Sequence, residues 1–418
     1  SDTDEKYSDA RIIFLDTEKS NWKWDEERGQ YYWHRFFHHQ PDLNFDEPRV
    51  IDEMFNAVRF WMDMGIDGFR LDAVPYLVEE DGTNCENLSG THEILKDLRA
   101  MVDREYPGRI LLCEANQWPD DVVEYFGAGD ECQMAFHFPV MPRLFMALRQ
   151  HSRMSISDIL ARTPQIPDGC QWGTFLRNHD ELTLEMVTAQ EREYLWDQYA
   201  PEDRMRCNLG IRRRLATLVG NDQDQIRLLH AMLLALPGSP VLYYGDEIGM
   251  GDDPWLPDRD GVRTPMQWDN SPSAGFSDAP PEKFHLPVID QFGYRPARVN
   301  VERQMEDPSS QLVWLRSMLA VRRRYPVFGT GEFIDLGGDD EAILAFLRRD
   351  RASTILCLAN LSPDERRYVG VLPQFGGRRV VNMLRDEPFG PLDPAGTVEY
   401  DLAGWGFAWI LLHHEEDH

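Results

Sequence analysis

From residue 47 to about residue 245, short apolar patterns typical of strands alternate with patterns typical of helices. The strand patterns cover 64–74, 108–116, 130–140, 170–181 and 240–250. Helical patterns between them include 91–106, with Thr91 as the predicted N-cap, and 224–238, which ends at Pro237-Gly238. Because this alternation is typical of parallel sheets with crossover helices, it predicts an α/β fold.

The pattern changes after a further predicted helix at 309–326. From about residue 330, six short strands are separated by turn residues, which predicts an antiparallel β-sandwich. The predicted regions are therefore 1–46, an α/β region over 47–329 with a charged helical insertion near 183–222, and a β domain over 330–418.

Composition excludes several classes of function. The 418 residues carry a formal net charge of −29, and such a surface repels nucleic acid and anionic membranes. No run of 18 apolar residues predicts a membrane span, and the first residues do not resemble a signal peptide. The six Cys are scattered without a CxxC pair, so we expect free thiols and a cytoplasmic protein.

Three of the predicted strands end in an acidic residue beside polar partners: Asp72 after GFRL, Glu114 after RILLC and Asp180 after FLRNH. If the sheet closes into a barrel, these residues share its C-terminal rim, where active sites of (β/α)8 enzymes lie. Structural ion pairs and helix caps are the simpler explanation for each residue alone. Three on separate strands favour a shared site.

Opposed carboxylates are what glycoside chemistry requires. One attacks or stabilises the anomeric carbon, and a second, protonated one serves the leaving oxygen. Arg70 lies two residues before Asp72, on the same face of the strand, and a nearby cation lowers a carboxylate pKa. We therefore expect an ionised Asp72 and a less paired Glu114 that holds a proton near neutral pH.

The stretches GFRLDAV, LLCEANQW and FLRNHDE resemble three catalytic regions of the α-amylase superfamily, glycoside hydrolase family 13. QPDLN at 40–44 and RTPMQWD at 263–269 are similar to two further signatures of this family. The resemblance implies that Asp72 is the nucleophile, Glu114 the general acid/base and Asp180 the transition-state stabiliser. It also implies that Arg70, His179 and Arg263 support or bind the substrate.

A closer resemblance, to the branch that rearranges maltose, extends from residue 1 to beyond residue 330. It implies intramolecular transfer of glucose that converts maltose to trehalose with retention, and some hydrolysis to glucose. The expected partners are maltose, trehalose and glucose, and a homo-oligomer is compatible with the sequence. Two alternatives stay open: an α-glucosidase or amylase-like hydrolase, and a non-catalytic scaffold with a glycosidase-like fold.

The resemblance departs at the front of the chain. The family's third barrel strand ends in a D-x-V-x-N-H motif, whereas Asn178-His179 is the one Asn-His pair here. This implies that 1–46 is a remnant of the loop domain after strand 3, and that 47–329 holds barrel strands 4–8. The expected fold is a partial (β/α)8 TIM barrel, and low activity is expected without the N-terminal segment.

The resemblance also implies a structural Ca²⁺ site. Its ligands here are the carboxylates of Asp42 and Glu79 and the backbone carbonyls of Tyr76 and Leu77. Calcium prefers such oxygen donors. The alternative is that both acids are ordinary loop residues. Trp118, His137 and the 251–263 loop are candidates for sugar contact or for packing, and no organic cofactor is expected.

Overall fold

The computed structural model describes residues 1–384 and 387–413 of the protein. The chain divides into two compact units. The first comprises Ser1–His137 and Thr163–Trp172, and the second comprises Phe138–Arg162 and Gly173–His418. Residues 385, 386 and 414–418 of the predicted β domain lie outside the described residues.

The first unit is built on three parallel strands with helices between them. Its elements are β1 (Trp22–Asp25), β2 (Gln30–Trp33), α1 (Pro48–Asp63), β3 (Gly68–Leu71), α2 (Ser89–Glu105), β4 (Ile110–Cys113), α3 (Pro119–Val122) and β5 (Met134–Phe136). Strands β1 and β2 form an antiparallel hairpin, whereas β3, β4 and β5 are parallel neighbours. The strand patterns predicted at 64–74, 108–116 and 130–140 are thus found as a parallel sheet.

The residues at their N-terminal ends show how helices α1 and α2 begin. Glu47 caps α1, and Pro48 occupies the first turn, where a missing N–H costs little. Helix α2 begins at Ser89 after Leu88, so the prediction of Thr91 as N-cap is wrong. Thr91 is fully buried inside the first turn, because the α2 face that carries it packs towards the core.

The second unit continues the α/β pattern. Its elements before the β domain are α4 (Val140–Gln150), α5 (Met154–Arg162), β6 (Gln171–Phe175), β7 (Leu182–Thr183), α6 (Ala189–Tyr199), β8 (Arg206–Cys207), β9 (Gly210–Ile211), α7 (Leu215–Leu218), α8 (Gln223–Ala235), β10 (Ser239–Val241), α9 (Val301–Glu306), α10 (Gln311–Arg324) and α11 (Val327–Thr330). Strand β6 starts in the first unit, and its final three residues pair in parallel with β10.

The insertion near 183–222 is less helical than predicted. Helix α6 begins at a capping box in which Thr188 and Glu191 bond each other's backbone. The remainder holds a small antiparallel sheet of β7, β9 and β8, and the short helix α7. Strands of two residues give no alternating pattern, which is why the sequence did not reveal them.

The C-terminal region is antiparallel and consists of β11 (Glu332–Asp335), β12 (Ile343–Arg349), β13 (Thr354–Asn360), β14 (Arg366–Val371), β15 (Val380–Asn382), β16 (Glu387–Phe389), β17 (Thr397–Leu402) and β18 (Phe407–Leu412). One sheet has the order β11-β12-β13-β18-β15-β16, and β14 and β17 form a second. Apolar residues of both sheets share one core, as in a sandwich.

The six predicted strands of this region are found, whereas β16 and β17 were not predicted. In β17, charged residues alternate with the buried Val398 and Leu402. Arg348 of β12 is buried and donates hydrogen bonds to the carbonyl oxygens of Ala235 (2.8 Å) and Gly331 (2.9 Å). Burial lowers the pKa of Arg348 to about 10.

Within the described part of the chain, no helix is long and apolar enough to cross a membrane. The six Cys form no disulfide, and five of them are buried.

Candidate active site

The ends of strands β3 and β4 bring two of the predicted catalytic residues together. Arg70 pairs with Leu112 and Leu71 with Cys113, so this register, extended by one residue, sets Asp72 opposite Glu114. Backbone bonds continue past the strand ends, because Glu114 N–H donates to Leu71 O (3.0 Å) and its own carbonyl accepts from Val74 N–H (3.3 Å). The two carboxylates therefore project from adjacent backbone positions.

Arg70 contacts both carboxylates. Its Nη1 lies 2.8 Å from Asp72 Oδ1, and its Nη2 contacts Glu114 Oε2. The expectation that Glu114 is less paired with a cation than Asp72 is therefore wrong. The register of β3 against β4 decides this, because it places one guanidinium between the two strand ends.

Burial distinguishes the two carboxylates instead. The Asp72 side chain is 74% exposed, whereas that of Glu114 is 14% exposed. Burial, a hydrogen bond to Asp72 and the charge of Asp72 together raise the pKa of Glu114 to about 7, against the opposing effect of Arg70. A protonated Glu114 beside an accessible Asp72 is the arrangement that an acid and a nucleophile require.

Asp180 belongs to the second unit and is held by cations. Its Oδ1 accepts hydrogen bonds from Arg259 Nη1 and Arg263 Nη2, both at 2.8 Å. Its Oδ2 lies 3.2 Å from His179 Nε2. The Asp180 carbonyl accepts from the buried Arg177 (2.7 Å), which fixes the backbone after β6.

Arg263 supports this group at two points, since its Nε also donates to the carbonyl of His179 (2.6 Å). Arg259 was not singled out by sequence. It and Arg263 flank a single 3₁₀ turn, Asp260–Val262, which directs both side chains to the same carboxylate. Two arginines four residues apart in PDRDGVRTP were the available signal.

The predicted calcium ligands lie in the first unit. Burial raises the pKa of Asp42 to about 6 and that of Glu79 to about 8, and the charge of Asp42 also raises the Glu79 pKa. Tyr76 ends the 3₁₀ turn Val74–Tyr76, and Leu77 follows as its C-cap. Two half-buried, mutually repelling carboxylates fit a divalent cation, because its charge would offset their repulsion.

The described residues contain no group of three or more His, Cys, Asp or Glu side chains arranged to hold a metal ion. The predicted ligand set has two such side chains and completes its donors with carbonyls. His137, a candidate for sugar contact, is buried, its Nε2 lies 2.8 Å from Thr163 Oγ1, and its ring packs edge-on against Trp172. Its position corresponds to the packing alternative.

Family models match most of the chain. The alpha amylase catalytic domain matches residues 11–201 and 211–331, and the C-terminal domain of maltogenic amylase matches residues 336–409. The chain is 58% identical to a trehalose synthase of Pimelobacter sp. (strain R48), over 99% of this chain and 74% of that protein. It is 47% identical to a trehalose synthase of Thermus thermophilus, over 99% of this chain and 43% of that protein.

Solved structures with the same fold are more distant in sequence. The isomaltulose synthase PalI from Klebsiella sp. LX3 is 20% identical with a TM-score of 0.72, over 98% of this chain and 76% of that one. An α-amylase from H. orenii is 19% identical with a TM-score of 0.71, over 97% of this chain and 74% of that one.

Proposed function

Because the chain belongs to the trehalose synthases of the α-amylase family, we propose that it converts maltose to trehalose by intramolecular glucosyl transfer. It is an enzyme of the α-amylase superfamily that acts as a glucosyltransferase or isomerase. Its fold is a TIM barrel with a C-terminal β domain, as expected. The partial barrel stays a prediction.

The observation that supports the chemistry best is the unequal pair of carboxylates around Arg70. In the first step, an oxygen of ionised Asp72 attacks C1 of the non-reducing glucose of maltose. The bond from C1 to the bridging oxygen breaks, and Glu114 donates its proton to that oxygen. The products of this step are a β-glucosyl ester on Asp72 and one free glucose.

In the second step, the retained glucose attacks through its own anomeric hydroxyl. Glu114, now ionised, accepts the proton of that hydroxyl while the oxygen bonds to C1 and the ester bond to Asp72 breaks. Two inversions at C1 give net retention and an α,α-linked product. A pKa of about 7 suits Glu114 to both roles, because it can give and take a proton near neutral pH.

Hydrolysis is the second candidate outcome, favoured by the 74% exposure of the Asp72 side chain. Water that reaches the ester in place of glucose would release glucose. We therefore propose that the chain forms some glucose alongside trehalose.

We further propose that Asp180 binds sugar hydroxyls and strengthens that contact in the transition state. Arg263 and His179 support this role, since both contact the Asp180 carboxylate. For the metal, we propose that Asp42 and Glu79, with the carbonyls of Tyr76 and Leu77, hold a structural Ca²⁺. When bound, this ion supplies charge compensation that rigidifies the loops around it.

Incubation with maltose tests the proposed function, with trehalose and glucose resolved by chromatography. We expect trehalose from the wild type and neither product from Asp72→Asn. Asp120→Asn is the control, an acid in the first turn of α3. Glucose without trehalose would establish the hydrolase instead, and undiminished turnover by Asp72→Asn would reject Asp72 as nucleophile.

The covalent intermediate needs a separate test. In Glu114→Gln, a donor with a good leaving group, α-glucosyl fluoride, bypasses the acid in the first step and leaves the second step without a base. We expect mass spectrometry to find a glucosyl adduct on the peptide that contains Asp72. An adduct on another carboxylate would contradict the assignment.

A further inference from the structure

The loop of residues 252–263, called here the 252–263 loop, carries both arginines that hold Asp180. It contacts one short part of the insertion, residues 204–214, called here the 204–214 segment. No catalytic role is assigned to this segment by its sequence. Its contacts nevertheless fall on the part of the loop that leads to Arg259, between Asp252 and Asp258.

Arg212 makes the central contact. Its Nη1 donates to the carbonyl oxygens of Leu256 (3.0 Å) and Asp258 (2.6 Å). Its Nε donates to the carbonyl of Arg204 (2.7 Å), which holds the guanidinium in place from the other side. Arg212 therefore fixes the backbone immediately before Arg259.

That backbone is strained. Asp258 has a φ of 43°, in the left-handed region that non-glycine residues rarely adopt. Its carboxylate accepts a hydrogen bond from Arg259 Nε (3.1 Å), so the turned conformation orients the side chain that reaches Asp180. A conformation of this kind persists only when surrounding contacts hold it, and Arg212 bonds directly to the Asp258 carbonyl.

The same segment holds the loop elsewhere. The guanidinium of Arg204 stacks on the Trp255 ring at 3.8 Å from its centre. The buried carboxylate of Asp252 accepts from Arg213 Nε (2.8 Å) and from the backbone N–H of Arg214 (2.6 Å). The loop is thus attached to the segment at its start, at its exposed Trp and just before Arg259.

We propose that Arg212 is a positioning residue for the glucosyl transfer: it holds the 252–263 loop so that Arg259 and Arg263 keep Asp180 in place. This proposal rests on the proposed role of Asp180. It assigns the insertion near 183–222 a part in the reaction, through contacts with loop carbonyls rather than with sugar. The effect of Arg212 on activity passes through Arg259.

The first experiment compares Arg212→Ala with Arg206→Ala. Arg206 is the matched control, because it lies in the same segment and is also half-buried, and its Nε bonds the carbonyl of Ala200, outside the loop. We expect kcat/KM for maltose consumption to fall roughly 100-fold in Arg212→Ala, mainly through kcat. Arg206→Ala is expected to keep near wild-type turnover, and Arg212→Lys to recover part of the loss. Equal losses in both Ala variants would overturn the proposal.

A double-mutant cycle separates positioning from general structure. If Arg212 acts through Arg259, then Arg212→Ala costs much less in an Arg259→Gln background than in the wild type. Fully additive losses would mean that the two residues act independently. The rate of total maltose consumption is measured, so the coupling between Arg212 and Arg259 can be determined whether the product is trehalose or glucose.

Hydrogen exchange supplies a readout that needs no turnover. We expect amides of 252–263 to exchange at least tenfold faster in Arg212→Ala than in the wild type or in Arg206→Ala. Unchanged exchange in the loop would refute the proposal. If the wild type forms no trehalose but exchange is accelerated in Arg212→Ala, the proposed function is rejected and the positioning of the loop by Arg212 is not.

Discussion

Asp72 and Glu114 share the guanidinium of Arg70, yet the Asp72 side chain is 74% exposed and the Glu114 side chain 14% exposed. One cation thus serves two carboxylates in different surroundings. Burial penalises the charged form of Glu114 and leaves Asp72 in contact with water. The different roles proposed for the two residues follow from this difference in burial.

The first prediction concerns pH. Protonated Glu114 is the reactive form in the first step, and burial raises its pKa to about 7. We therefore expect kcat/KM for maltose to fall about tenfold per pH unit above pH ~7. Initial rates from pH 5 to pH 9 check this. A profile that is flat up to pH 9 would reject Glu114 as the general acid.

The same group links pH to stability. The pKa of Glu114 is higher in the folded chain than in the unfolded chain. Its contribution to stability is therefore complete below the pKa of the unfolded chain and is lost as the pH rises through about 7. Glu114→Gln does not titrate. We expect the variant to gain about 2 kcal/mol in unfolding free energy, relative to wild type, between pH 5 and pH 8. Urea unfolding at both pH values measures this, and a pH-independent difference would contradict it.

Removing the shared cation should move the pH profile. Arg70 lowers the pKa of Glu114, so in Arg70→Met that pKa rises further and the alkaline limb shifts to higher pH. The kcat/KM should also fall roughly 100-fold, because both carboxylates lose the group that orients them. Arg109→Met is the matched control, since Arg109 is also 32% exposed and pairs with Asp67. An alkaline limb that stays in place or moves to lower pH in Arg70→Met would show that the charge of Arg70 does not lower the pKa of Glu114.

Gly68 is required by a close approach of two strands. A Cβ at this position would lie 2.2 Å from the Ile110 carbonyl oxygen, in the register that aligns Asp72 with Glu114. We expect Gly68→Ala to destabilise the fold by about 2–4 kcal/mol and to reduce activity. Gly293→Ala, where the Cβ meets no atom within 4 Å, should be nearly neutral. Thermal unfolding of both variants decides the matter.

Calcium should stabilise the chain through Asp42 and Glu79. We expect millimolar CaCl2 to raise the unfolding midpoint by about 2–5 °C over a sample in EDTA. Asp42→Asn with Glu79→Gln should abolish this rise, whereas Glu53→Gln on the exposed side of α1 should retain it. A rise of equal size in the double variant would place the ion elsewhere.

Much of the α/β sheet was predictable because its strands are apolar runs that end at charged residues. Asp72, Glu114 and Asp180 each follow such a run, and the resemblance named all three. The sharing of Arg70 was not predictable, since it depends on how β3 aligns with β4, and the intervening 38 residues, 72–109, carry no local signal of that register.

The support of Asp180 was predictable only in part. Arg263 stands in a recognisable signature. Arg259 reaches the Asp180 carboxylate from beside a strained turn at Asp258, and Arg212 acts through backbone carbonyls of that loop. Such contacts depend on tertiary structure. Arg and Asp residues occur in any charged loop, so the sequence does not distinguish the ones that make these contacts. Thr91 shows the same limit, because packing of α2 overrode its preference for a cap.

The buried Arg348 has a consequence for how this chain can be recombined with its relatives. Its guanidinium joins β12 to the end of α8 through the Ala235 carbonyl. A chimera that exchanges the β domain alone must bring a cation at this position, or leave that carbonyl dehydrated and unbonded. The β domain is therefore not a freely portable module. A crossover point that preserves folding must keep residue 348 and the segment around residue 235 from the same parent.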